Sequence, residues 1–142
     1  MEFRGNVQTR LKKLEDGVAT CTFLAMAGLN RLGLENVAQS AIEPDEMLPA
    51  IAQGAIGIEW REEDKQITDI LQKIHHTETE QRLNVERAFL AELDGSCQTP
   101  IAGLAVIEGS SLKFTGQVLR TDGSESISET AHCNIEDGPD LG

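Results

Sequence analysis

No stretch of this chain approaches the roughly eighteen consecutive apolar residues that a membrane-crossing helix needs, so no membrane span is expected. The opening run Met1-Glu2-Phe3-Arg4-Gly5 lacks the charged and apolar regions of a signal peptide, which points to the cytoplasm, or to the stroma in a plastid-bearing source. Cysteine is scarce: Cys21, Cys97 and Cys133 show no CxxC spacing and no matching histidine pattern, so neither a disulfide framework nor a metal site is expected. His75 and His76 are adjacent and would point in different directions on a helix, which excludes a shared metal and leaves them partly exposed. Basic residues are few, 12 Lys and Arg against 24 Asp and Glu for a net charge of −12, and this excludes nucleic acid, whose phosphates demand a basic face. There is no internal repeat and no GxGxxG fingerprint, so the glycines of Gln53-Gly54-Ala55-Ile56-Gly57 give no warrant for a dinucleotide.

What is present suits one ordinary globular domain: 142 residues, 39% hydrophobic and 25% charged. The charge is uneven. Arg4, Arg10, Lys12 and Lys13 face a single Glu2 in the first fourteen residues, whereas no Lys or Arg follows Arg120. The basic segment reads either as a site for an anionic small molecule or as a solvated helix face. Asn6 is placed to cap a helix whose Val7, Leu11 and Leu14 share one stripe, ending near Gly17. Residues 18–27 form a nearly continuous apolar run, the pattern of a strand covered on both faces, with Cys21 in the core. A short helix stopped by Gly33 follows, so Arg31 would leave the carboxyl end of that strand, where ligands of open α/β sheets lie. Residues 37–42 suggest another strand, with a short helix from Asp45, and residues 50–60 a glycine-punctuated turn running into an apolar strand.

Beyond Lys65 the spacing of Ile67, Ile70, Leu71 and Ile74 predicts a helix, with Glu62, Glu63 and Asp64 at its favourable end. A second helix is predicted from Thr77, which would form a capping box with Glu80, and runs through Val85, Ala88 and Phe89 to Leu93. Three runs, 101–107, 112–119 and 125–133, have the spacing of an antiparallel meander, and residues 134–142 show no periodicity and read as a frayed end. The first helix has no strand before it and the first buried strand no evident neighbours, so the order reads as part of something larger. Cys97, between Gly95 and Pro100, is displayed on a loop after a helix C-terminus. That end of the dipole does not lower a thiol pKa, and no histidine stands in a context that would activate the thiol as in a cysteine protease.

Four stretches carry a resemblance: Arg4-Gly5-Asn6-Val7-Gln8-Thr9-Arg10-Leu11, Leu24-Ala25-Met26-Ala27-Gly28-Leu29-Asn30-Arg31-Leu32, Leu48-Pro49-Ala50-Ile51-Ala52-Gln53-Gly54-Ala55-Ile56-Gly57-Ile58-Glu59, and Glu86-Arg87-Ala88-Phe89 through Gly95-Ser96-Cys97-Gln98-Thr99-Pro100-Ile101. In order and spacing the chain resembles the C-terminal part of the porphobilinogen deaminase (hydroxymethylbilane synthase) family, while residues after Leu119 match only loosely. The resemblance implies a transferase that condenses four porphobilinogen units into hydroxymethylbilane with release of ammonia, on the route to haem and chlorophyll. It implies a dipyrromethane cofactor joined through a thioether to Cys97, whose electrophilic partner is reactive enough that a permanently activated thiolate is unnecessary. Arg4 and Arg10 would bind the cofactor, and Arg31, Gln53 and Gly54 the substrate and the growing polypyrrole. Guanidinium suits the acetate and propionate of each pyrrole because it pairs a carboxylate through two parallel hydrogen bonds.

The implied fold class is α/β, becoming α+β in the last part: partial periplasmic-binding-protein-like α/β domains followed by a small antiparallel sheet with helices. Residues 1–48 would be the later half of the family's second domain, 49–75 a segment returning to its first, and 76–142 the cofactor-anchoring third domain without its last helix. No acid here matches the family's catalytic Asp, so no catalytic residue and no metal ligand is assigned. Family members are usually monomeric, and exposed sheet edges in this piece predict self-association. The alternative expectation is a non-catalytic carboxylate-binding fragment or module.

Overall fold

The computed structural model describes residues 3–96 and 99–142; Cys97 and Gln98, and with them the thiol expected to carry the cofactor, lie outside the described residues. The elements, in order, are α1 (Val7–Glu15), α2 (Met26–Leu32), a 3-10 turn (Glu35–Val37), α3 (Lys65–Leu71), α4 (Thr77–Glu92), β1 (Ile101–Glu108), β2 (Ser111–Leu119), β3 (Ser126–Asn134), a second 3-10 turn (Ile135–Asp137) and α5 (Gly138–Leu141). This is a mixed fold of helices with one small antiparallel sheet, divided into two compact units, residues 1–43 and 44–142.

In the first unit, α1 forms where its cap predicts. Asn6 Oδ1 accepts from the Thr9 N–H at 2.9 Å and from the Thr9 hydroxyl at 2.8 Å, satisfying an amide that has no partner within the helix. Gly17 adopts φ +70 beyond the other end, where the Val18 N–H returns to the Lys13 carbonyl at 2.9 Å. Gly33, at φ +64, likewise ends α2, whose Leu29 is buried at 2% exposure.

The strands expected over 18–27 and 37–42 are absent. Residues 18–25 have no regular structure, Met26 already opens α2, and the second segment is taken by the 3-10 turn and irregular chain. Cys21 is exposed rather than core, and Phe23 is 65% exposed. An apolar run becomes a buried strand only when neighbours complete its hydrogen-bond ladder, and no described residue of this unit is in a strand.

In the second unit Asp45 lies in a turn, not a helix, and residues 55–60 are irregular rather than a strand, with Ile56 93% exposed. α3 forms, capped by Asp64 Oδ1 on the Ile67 N–H at 3.1 Å, but its apolar Ile67 and Ile70 stay exposed. α4 begins at Thr77, yet the capping box does not form. The cap is His76, whose Nδ1 accepts from the Thr79 N–H at 3.2 Å, and Glu80 lies 3.1 Å from His75 Nε2. The imidazole nitrogen supplies the acceptor that the Thr77 hydroxyl would have offered one residue later.

The meander holds in full, in the order β1-β2-β3, with Ala105 opposite Phe114 and Leu112 opposite Cys133. Asp122 Oδ1 accepts from the Ser124 hydroxyl at 2.7 Å and its amide at 3.0 Å, which shapes the β2–β3 turn and holds the Asp122 carboxyl below its usual range. One sheet face packs on α4 through Val85, Ala105, Leu112 and Phe114, with Phe89 meeting Phe114 edge-on at 5.2 Å between centroids. Residues 134–142 are no frayed end: Ile135 and Leu141 pack on this core and Gly138 is buried against Val85. The outer edge of β1 is occupied, since Gly103 N–H donates to the Pro49 carbonyl at 3.0 Å and both backbone groups of Ala105 bond α4 side chains, whereas β3 pairs with β2 alone among the described residues.

Gly116 sits beneath the Phe89 ring, where an added Cβ would stand 2.8 Å from Cζ and 3.0 Å from Cε2. That ring is already fixed by Phe114 and has little room to give. Gly116→Ala is therefore expected to lower stability by about 1–3 kcal/mol, read as a lower urea midpoint at unchanged slope.

Candidate cofactor and substrate site

The first unit carries three of the candidate side chains. Arg10, half-buried on α1, donates from Nε to the Gly5 carbonyl at 3.2 Å and from Nη1 to the Phe23 carbonyl at 3.4 Å, so two backbone oxygens orient its guanidinium. Arg4 is exposed, and its carbonyl accepts from Lys13 Nζ at 2.7 Å, with that ammonium 5.4 Å from the Phe3 ring centroid. The backbone before α1 thus draws the Arg10 and Lys13 side chains back toward the helix N-terminus, where the dipole also favours anions. Arg31 does not leave a strand end. It is exposed on the last turn of α2, where its charge complements the negative end of the helix.

Gln53 and Gly54 lie in the second unit, on a tight turn over residues 51–54. The turn is closed by Gln53 N–H to the Ala50 carbonyl at 3.1 Å and Ala55 N–H to the Ala52 carbonyl at 3.2 Å. It places Ala52 at φ +58 and Gly54 at φ +80, conformations that glycine adopts freely and alanine only with strain. Glu86 holds it. This carboxylate, 5% exposed on α4, accepts from the Ala52 N–H through Oε2 at 2.8 Å and from the β1 Ala105 N–H through Oε1 at 3.0 Å. One turn earlier on α4, Arg82 Nε donates to the Ala105 carbonyl at 2.7 Å. Gln53, Gly54, Thr79, Arg82 and Glu86 border a cavity of about 210 Å³.

Sequence reasoning missed Glu86 and Arg82. The available signal was Glu86 lying three residues after Leu83 and four before Leu90, an acid within an apolar helical row. Such an acid requires buried donors.

α4 ends in Asp94 at φ +49 and in the Gly95 N–H, which returns to the Leu90 carbonyl at 2.9 Å. A Cβ on Gly95 would fall 2.5 Å from a Leu90 methyl and 2.8 Å from one of Ile101, so close packing requires glycine there. Ser96 and Thr99, the described residues flanking 97–98, are tied together: Thr99 N–H donates to the Ser96 carbonyl at 3.0 Å and Ser96 N–H to the Thr99 hydroxyl at 3.0 Å. Among the described residues no group of three or more His, Cys, Asp or Glu could hold a metal, and no helix is long and apolar enough to cross a membrane.

The dipyrromethane-binding family described by one sequence model, "Porphobilinogen deaminase, dipyromethane cofactor binding domain", matches residues 1–69, and its companion, "Porphobilinogen deaminase, C-terminal domain", matches residues 81–142. These matches define a class of transferases acting in tetrapyrrole biosynthesis. The chain belongs to the porphobilinogen deaminase family. It is 58% identical over 142 residues to the porphobilinogen deaminase of Paracoccus denitrificans, covering all of this chain and 45% of that relative. It is 48% identical over 139 residues to those of Nitrobacter hamburgensis and Nitrobacter winogradskyi, covering 98% of this chain and 44% of each. The chain therefore spans less than half the length of these relatives.

The two described thiols differ. Cys21 is exposed, whereas Cys133 packs against the core, and burial first, then the nearby Asp137 carboxylate, pushes its thiol up from the ordinary value. A folded thiol that holds its proton more tightly contributes stability that is present below the ordinary thiol pKa and lost as pH rises past it. At pH 8.5 iodoacetamide should modify Cys21 faster than Cys133, by on the order of tenfold, and peptide mapping should show the difference vanish in denaturant.

Proposed function

We propose that this chain is the C-terminal part of a hydroxymethylbilane synthase, condensing four porphobilinogen units stepwise into hydroxymethylbilane with release of ammonia. The observation that carries the proposal is that the dipyrromethane-binding sequence model spans all five candidate contact residues, Arg4, Arg10, Arg31, Gln53 and Gly54. In this reading residues 1–48 continue a second, periplasmic-binding-protein-like domain, 49–75 return to a first, and 76–142 form the anchoring domain. The remaining length of the protein supplies the catalytic Asp that no acid here matches.

The residues suit the group they would hold. Each pyrrole brings two carboxylates, and Arg10, with its guanidinium oriented by two carbonyls, meets one at little further entropic cost. Arg4 and Arg10 bind the cofactor carboxylates, and Arg31 those of the substrate and growing chain. Gln53 offers an amide, and Gly54 a backbone free of side chain, to the same substrate. Cys97 forms the thioether, and the hydrogen bonds between Ser96 and Thr99, its described neighbours on either side, fix the chain ends that present an anchor needing no depressed pKa. When bound, the dipyrromethane supplies the primer to which pyrroles are added. The protein acts in the cytoplasm, and the completed polypeptide is a monomer.

Peptide-level mass spectrometry tests the anchor. The chain, co-produced in a haem-synthesising cell with the part of the Paracoccus denitrificans relative that it does not span, should carry an adduct of dipyrromethane mass on the Cys97 peptide. Cys97→Ser should lack the adduct, and Cys21→Ser and Cys133→Ser should keep it. An unmodified Cys97 in an active preparation would refute the assignment.

A further inference from the structure

We propose that Glu86 is a positioning residue: its two carboxylate oxygens fix the Gln53–Gly54 turn to the helix that precedes Cys97 in the chain and the strand that follows it. The proposal rests on the reading of Gln53 and Gly54 as substrate contacts. Three observations carry it. The turn is strained at Ala52, φ +58, so without an external hold it would relax toward another conformation. Glu86 supplies that hold from α4, the helix that precedes Cys97 in the chain. The second oxygen bonds the Ala105 amide of β1, the strand that follows Cys97 in the chain, so one buried side chain links the turn to both elements. Two further contacts confine the turn: Gly103 N–H donates to the Pro49 carbonyl at 3.0 Å, and Ile51 Cδ1 lies 2.8 Å from where a Gly103 Cβ would stand.

The chemistry requires a carboxylate. Both partners are N–H donors, so each needs an acceptor oxygen. Glutamine offers one oxygen and one NH₂, and whichever way it turns, a donor faces a donor. Glu86→Gln therefore keeps size and shape while releasing one of the two tethers.

A carboxylate that merely stabilised the unit would behave differently from one that places the turn, and hydrogen exchange on the full chain separates them. In Glu86→Gln the amides of residues 51–55 should exchange at least about tenfold faster, the worth of one hydrogen bond to a charged group, while β2 and β3 amides keep their rates. Unchanged exchange at the turn, or equal acceleration across β2 and β3, would overturn the proposal. If Glu86→Gln does not fold, Glu86→Asp, which retains both oxygens on a shorter stem, should show a smaller acceleration at the same amides. In the protein completed to full length, Glu86→Gln should raise KM for porphobilinogen about tenfold with kcat within about twofold. Gln53→Ala with unaltered KM, alongside a loosened turn in Glu86→Gln, would overturn the substrate-contact reading alone. An unaltered turn in Glu86→Gln would overturn the positioning role alone.

Discussion

Two backbone amides, a part-buried one from a strained turn and a buried one from a strand, share a single buried carboxylate, and the second unit is organised around that constraint. A buried N–H without an acceptor costs about 1–3 kcal/mol, so Glu86 at once satisfies two such groups and fixes where the turn and β1 lie relative to α4. Arg82, one turn away, completes the arrangement by donating to the same residue of β1. The outer edge of that strand is thereby occupied by side chains in place of another strand, which removes a template for edge-to-edge pairing. The Phe89–Phe114 contact and the glycines at 103 and 116 let helix and sheet approach closely enough for these short bonds.

The first unit works on a different principle. It buries little, and its organisation comes from caps and from cations placed on backbone oxygens: Asn6 on Thr9, Arg10 on Gly5 and Phe23, Lys13 on Arg4. Arg4, Arg10, Lys12 and Lys13, clustered in the first fourteen residues of a chain of net charge −12, give a local field opposite in sign to that of the whole molecule.

The elements legible in the sequence were those whose stability is local. The Asn6 cap, the Gly33 stop, the α3 periodicity and the β1–β3 meander each depend on neighbours within a few residues or across a tight turn. The strands expected at 18–27, at 37–42 and within 50–60 failed for one shared reason: apolar composition records that a segment is to be covered, not what covers it. Phe23 and Ile56, left exposed, still carry that record. The His76 cap was missed because a capping box one residue later fitted the usual pattern, and α5 because its few residues gain their order from Val85 rather than from periodicity. Of the candidate site, Arg4, Arg10, Arg31, Gln53 and Gly54 come from the resemblance alone. Glu86 was not, because its role exists only once turn, helix and strand meet.

In the proposed function this polypeptide contributes the covalent anchor of a tetrapyrrole-forming enzyme. Ammonia release from porphobilinogen by the chain completed to full length measures it most directly. The account predicts sustained release by the wild-type protein and by Cys21→Ser, with release abolished in a folded Cys97→Ser protein. Wild-type turnover in Cys97→Ser would contradict it.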